Sequence, residues 1–145
     1  MTSGGYGYHG LGYIGLRGRD LAAWRRFGSD MLGLQFNADL STETELRFKA
    51  DSRTWRIAVI AADDDGLDYL GFEVAALADL DRLAANVEAT GVSVRPLTEA
   101  EAADRQVRAG VTFTDPAGLQ VELFYAQADD RGFQSDAGVS GFVTQ

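Results

Sequence analysis

The chain has no cysteine, a single histidine and few basic residues. Without cysteine it forms neither disulfides nor thiolate metal sites. Thirteen Lys and Arg face 22 Asp and Glu, a net charge of −9. That balance argues against a nucleic-acid partner, because no basic patch is available to neutralise phosphates, and it disfavours an anionic membrane. No long apolar run is present, and Met1-Thr2-Ser3-Gly4-Gly5 lacks the charged and apolar regions of a signal peptide. The expectation is a cytoplasmic protein with no membrane partner. The early glycines are not a phosphate loop, since no Gly-x-Gly-x-x-Gly follows a strand. Asp63-Asp64-Asp65 lacks the longer acidic pattern of a calcium loop and reads as a solvated turn. What remains is ordinary for a globular domain: 145 residues, 46% apolar and 24% charged, enough for one substantial core.

Within that core the chain repeats itself. Leu11-Gly12-Tyr13-Ile14-Gly15-Leu16 recurs 56 residues later as Leu67-Asp68-Tyr69-Leu70-Gly71-Phe72. Each copy precedes an amphipathic helix pattern and then Gly33-Leu34 or Gly91-Val92. A second echo, at an offset of 64, links Asp51…Trp55-Arg56-Ile57-Ala58-Val59 to Asp115…Leu119-Gln120-Val121-Glu122-Leu123. The eight additional residues fit one insertion, Thr98 to Arg105. Two similar units in a chain this short suggest a duplicated fold with a cleft between its halves.

Local patterns fill in the units. Residues 1–10 are rich in Gly and Tyr and are expected to form a flexible arm. In the first module, 11–66, a strand over Leu11–Gly18 leads to a helix with Asp20 as N-cap and Leu21, Trp24, Phe27 and Met31 on a core face. Gly33 closes the helix. Strands follow near 34–39, 44–50 and 55–62, and Asp63-Asp64-Asp65-Gly66 turns the chain. The second module, 67–127, has a strand at 69–75 and a helix carrying Leu80, Leu83, Ala84 and Val87 on one face. A strand at Val92–Leu97 comes next. Thr98-Glu99-Ala100-Glu101 fits a capping box for a short extra helix. Two more strands flank the Asp115-Pro116-Ala117-Gly118 turn. The fold class is α+β, two tandem βαβββ modules. Residues 128–145 look like a linker or strap.

The paired βαβββ units and the ending Asp115-Pro116-Ala117-Gly118-Leu119-Gln120-Val121-Glu122-Leu123 resemble the vicinal oxygen chelate superfamily, which includes glyoxalases and bleomycin-resistance proteins. Three segments sharpen the resemblance to the N-terminal domain of type I extradiol dioxygenases, such as those acting on 2,3-dihydroxybiphenyl. They are Leu11–Leu16, Asp51-Ser52-Arg53-Thr54-Trp55-Arg56-Ile57-Ala58-Val59 and Val139-Ser140-Gly141-Phe142-Val143-Thr144. The similarity spans nearly everything from Leu11 to Thr144. It implies that ligands in active modules come from the first and last strands of each unit, and the repeat locates those positions here at Tyr13, Ala58, Tyr69 and Glu122. Iron(II) in an extradiol enzyme takes two His and one carboxylate. Here only Glu122 offers a suitable donor, and His9 lies outside the first strand. The expectation is therefore no metal in this chain and none of the catalytic residues. Fe(II), or Mn(II), is expected in a C-terminal catalytic domain of the parent enzyme.

Individual residues have competing readings. Glu122 is either a relic ligand or a polar residue on a cleft or solvent face, and the second is favoured. Tyr13 and Tyr69 are expected to fill a cavity. Trp55 and Phe124 are candidate cleft-wall residues. Arg56 is expected to pair with an acidic neighbour, and His9 to sit in solvent. The leading functional reading is the non-metal-binding N-terminal domain of an enzyme that cleaves a catechol with O₂, inactive as this chain alone. A second reading is a stand-alone, metal-free protein binding a small aromatic ligand. A third, a lyase or isomerase of glyoxalase type, conflicts with the ligand count. A domain that packs against a second one should expose an apolar patch when alone, so a homo-oligomer, as a dimer, is expected.

Overall fold

Strand β1, Tyr8–Gly18, opens a computed structural model that describes residues 8–140. It is followed by α1 (Leu21–Arg26), β2 (Gln35–Phe36), β3 (Glu45–Lys49) and β4 (Ile57–Ala61). The second run is β5 (Gly66–Val74), α2 (Leu77–Glu88), β6 (Arg95–Pro96), α3 (Glu99–Arg105), β7 (Val107–Thr114) and β8 (Gln120–Gln127). With α3 as an insertion, this is βαβββ twice. The chain forms two compact units. One comprises residues 13–68 and 128–140; the other comprises residues 8–12 and 69–127. They are called here the first and second halves.

In the first half the strands run β2-β3-β4-β1, with β3 antiparallel to β4 and β1 parallel to it. Because side chains alternate along a strand, the two faces differ in kind. One carries Leu46, Phe48 and Val59, packed with Leu34 and against Leu16, Leu21 and Trp24. The other carries Tyr13, Arg47, Lys49 and Ala58, all buried. Asp20 caps α1, its carboxylate accepting from the Ala23 amide at 3.0 Å.

The helix does not keep the α-helical phase that the spacing of Leu21, Trp24, Phe27 and Met31 predicts. After Arg26 it widens into a π-helical turn, Phe27–Met31. The wider turn carries Met31 out of register, leaving it 75% exposed, and of the four residues only Leu21 and Trp24 pack on the core. Gly28 sits in this turn because a Cβ there would lie 2.7 Å from the Phe48 ring.

One other expectation is revised. Tyr8, His9 and Gly10 are not a loose arm but the start of β1, with Tyr8 edge-on to Phe72 at 6.2 Å; residues 1–7 lie outside the described residues. Residues 128–140 are held against the first half. Arg53 bridges to Asp129, the buried Lys49 ammonium pairs with Asp130, and the Ser29 hydroxyl donates to Asp136 at 2.7 Å. Lys49 holds the Asp130 carboxyl below its ordinary range. Of the tail's larger apolar residues, Val139 is described and exposed, while Phe142 and Val143 lie outside the described residues.

The second half has the order β5-β8-β7-β6. Leu80 and Leu83 of α2 pack on Val74 and Leu123, with Phe72, Val111, Phe113 and Tyr125 around them. The capping box forms as the spacing predicts: Thr98 accepts from the Glu101 amide, and Glu101 accepts from the Thr98 amide. The Asp115 turn forms as well, its carboxylate accepting from Ala117 and Leu119 amides.

The acidic turn at 63–65 is exposed, as its composition suggests, and two of its carboxylates are paired. Arg17 of β1 pairs with Asp64 at 2.9 Å and Asp68 at 3.5 Å, and Arg19 pairs with Asp65 at 3.0 Å. Hydrogen bonding from Arg17 lowers the Asp64 carboxyl, and the Arg19 amide lowers that of Asp65.

Candidate functional site

The four positions picked out by the repeat divide two and two. Tyr13 and Ala58 belong to the first half, Tyr69 and Glu122 to the second. In the first half, Ala58 on β4 lies directly opposite Arg47 on β3 and beside Gly15 on β1. Residues opposite one another on antiparallel strands share a face. The methyl of Ala58 leaves room there for two large neighbours. The Arg47 guanidinium lies 4.2 Å from the ring centroid of Trp55, and Trp55 stacks on Tyr13 at 4.6 Å and 26°. Arg47 also donates to Glu45 at 3.0 Å. Trp55 is 0% exposed and Tyr13 1%. The loop entering β4 fixes the tryptophan. Asp51 pairs with Arg56 at 2.6 Å. Burial pushes the Asp51 carboxyl up, but hydrogen bonds from Arg56 and the Arg53 amide outweigh it and leave the group lowered.

In the second half the residue equivalent to Ala58 is Glu122, and its carboxylate is 0% exposed. The solvent-face alternative is thus excluded for this residue, for a reason that lies 17 residues earlier in the chain. Arg105 donates from Nε to one carboxylate oxygen at 2.9 Å and from Nη2 to the other at 3.0 Å. This is the bidentate fork that guanidinium geometry favours. Gln120 Nε2 donates to the same carboxylate at 3.0 Å. The guanidinium carbon of Arg105 sits 4.0 Å from the ring centroid of Tyr69, which is 2% exposed. Tyr69, Glu122 and Arg105 therefore form one cluster.

Arg105 is the last residue of α3 and was missed at the sequence level. Its direction is set by Gln106, which adopts a left-handed backbone at φ 59° and turns the chain into β7. Its Nη1 also donates to Asp104 at 2.7 Å. A signal was available: a strand-borne glutamate among apolar neighbours needs a counter-ion, and Arg105 is the only basic residue in the eight-residue insertion.

Phe124 is fully buried, packed where Gly12 allows it. A Cβ on Gly12 would fall 2.1 Å from the Phe124 ring. Neither Trp55 nor Phe124 presents surface to solvent. The second half does have an open groove of ≈ 470 Å³, but it is lined by Arg95, Thr112, Thr114, Gln120 and neighbours, and neither Tyr69 nor Phe124 is among them.

An iron or manganese ion does not fit these residues. Ala58 supplies no donor atom, and both oxygens of Glu122 are already held by Arg105. Among the described residues no three His, Cys, Asp or Glu side chains come together as a metal-holding group.

Comparison with known proteins bears on the whole chain. Residues 11–61 match the family described as dihydroxybiphenyl dioxygenase BphC D1, and residues 67–129 match the catechol 2,3-dioxygenase-like N-terminal domain. The chain belongs to the N-terminal domain family of the extradiol dioxygenases. A biphenyl-2,3-diol 1,2-dioxygenase of Paraburkholderia xenovorans is 39% identical over 136 residues, covering 92% of this chain and 45% of that protein. An iron-dependent extradiol dioxygenase of Rhodococcus jostii is 30% identical over 118 residues, covering 81% of this chain and 39% of that one. Among solved structures, a catechol 2,3-dioxygenase superposes with a TM-score of 0.88 at 32% identity, covering 95% of this chain and 49% of its own. The fold is that of the vicinal oxygen chelate superfamily, and the chain spans less than half the length of these relatives.

Proposed function

We propose that this chain is the non-metal-binding N-terminal half of an extradiol dioxygenase that opens an aromatic vicinal diol with O₂. The observation that carries the reading is the state of the ligand positions. One is an alanine, two are tyrosines buried in packing, and the one carboxylate is neutralised internally. Alongside this stands similarity over nearly the whole chain to relatives about twice as long. The catalytic Fe(II), or Mn(II), and the diol belong to the other half of such an enzyme, in the cytoplasm. This half contributes structure: it covers its partner domain and offers subunit contacts in a homo-oligomer. No helix among the described residues is long and apolar enough to cross a membrane.

The test is to read the source gene past codon 145 and express the full reading frame. The expected result is a second pair of βαβββ modules carrying two His and a Glu, with Fe(II)-dependent ring opening of a catechol. The same assay on the present chain should give no product. A stop codon after Gln145, with saturable phenol binding by the chain itself, would overturn the reading in favour of a metal-free binding protein.

A further inference from the structure

A buried carboxylate needs a cation, either a metal ion or a basic side chain. In the second half it is a side chain. We infer that Arg105 is the resident cation of this half. Its guanidinium is lodged between the Glu122 carboxylate and the Tyr69 ring as a planar ligand in a built pocket, so the half is closed to divalent metals by occupancy and not only by missing imidazoles. The description of the position as a former ligand site rests on the reading above; the pocket itself rests on geometry alone.

Three features make this a pocket selective for guanidinium. The carboxylate accepts a two-point fork at 2.9 and 3.0 Å, which an ammonium cannot match. The Tyr69 ring offers its face to the delocalised cation at 4.0 Å. Gln120 steadies the carboxylate by donating at 3.0 Å, and Glu122 has no exposure to water. The cation arrives on the one segment that lacks a counterpart in the first half. Helix α3 holds it there through the capping box and the Arg95–Glu101 pair at 2.7 Å.

The pocket should therefore accept a free guanidinium once the side chain is removed. In Arg105→Ala, the melting temperature is expected to fall by roughly 10 °C, because a buried carboxylate loses its partner. Millimolar methylguanidinium should restore part of that loss in Arg105→Ala, and methylammonium should not. Neither ion should raise the melting temperature of the unaltered chain or of Arg105→Ala/Glu122→Gln. Arg105→Lys should remain below the unaltered chain. The double variant Arg105→Ala/Glu122→Gln should melt above Arg105→Ala, since it no longer buries a lone charge. It also keeps the test open if the single variant fails to fold.

Equal recovery with methylammonium, or a double variant no more stable than Arg105→Ala, would overturn the inference. Either failure leaves the dioxygenase reading untouched. Conversely, a stop codon directly after Gln145 with phenol binding by the chain removes that reading and leaves the pocket standing.

Discussion

The two halves share a plan and fill it with opposite chemistry. Each places a tyrosine on its opening strand, Tyr13 or Tyr69, and each sets an arginine against an aromatic ring near the residue that closes the repeat. In the first half that residue is Ala58, and the space goes to an aromatic stack, with Arg47 against the face of Trp55. In the second it is Glu122, and the space goes to an ion pair. The arginines also come from different places. Arg47 stands on β3 directly opposite Ala58, whereas Arg105 comes from the inserted helix. A position without a donor can be filled by packing. A position that keeps its carboxylate must also bring in a cation.

If this contrast is right, the halves should fail differently. The largest effect is expected from Trp55→Ala. It removes a fully buried indole from between Tyr13 and Arg47, and large aromatic truncations cost about 3–5 kcal/mol. Urea denaturation should show the loss, with little dependence on salt, because the stack is held by packing. A stability unchanged within about 1 kcal/mol would mean that the stack contributes far less than its burial implies. Arg105→Ala, by contrast, should be recoverable by a soluble cation, which no aromatic truncation can be.

A smaller effect is expected at the close approach in the second half. Gly12→Ala puts a methyl 2.1 Å from the Phe124 ring, so the ring or the strand must shift. Overpacking of this kind costs about 1–3 kcal/mol. Pairing it with Phe124→Leu should return part of the loss, because the smaller side chain vacates the contact; a double variant that is merely additive would show that the strain lies elsewhere.

Features written in neighbouring residues were legible from sequence. Thr98 and Glu101 sit three apart and cap a helix by their own chemistry, and Asp115-Pro116-Ala117-Gly118 turns the chain for the same local reason. The repeat identified Tyr13, Ala58, Tyr69 and Glu122 as equivalent positions because a βαβββ unit preserves strand spacing. The phase change at Phe27–Met31 was not legible, since spacing of three and four residues describes an α-helix and the π-helical turn answers to packing of Gly28 on Phe48. Nor were the anchor points of the tail on the first half, where Lys49 meets Asp130 across 81 residues of chain. The partner of Glu122 was missed because a buried charge shows only half of itself on its own strand.

The smallest expected effect tests how firmly α3 holds Arg105 in place. Arg95 donates to both oxygens of Glu101, at 2.7 and 3.0 Å, and the Thr98 amide adds a bond at 3.0 Å. The Arg95 bonds foremost, then the Thr98 amide, pull the Glu101 carboxyl from 4.5 down to about 2, against a smaller opposing effect of desolvation. A carboxyl depressed by folding stabilises the folded state when ionised. The contribution is complete above the ordinary value of 4.5 and is lost progressively as the pH falls toward about 2. The pair is partly exposed, so the whole effect should stay within about 1 kcal/mol. Melting temperatures of the unaltered chain and of Glu101→Gln should therefore differ near neutrality and converge as acid is added through that window. A difference that stays constant with pH would show that the Arg95–Glu101 pair does not hold the helix. Arg105 would then be fixed by its own contacts with Glu122, Tyr69 and Asp104, and the ion pair of the second half would be as self-sufficient as the aromatic stack of the first.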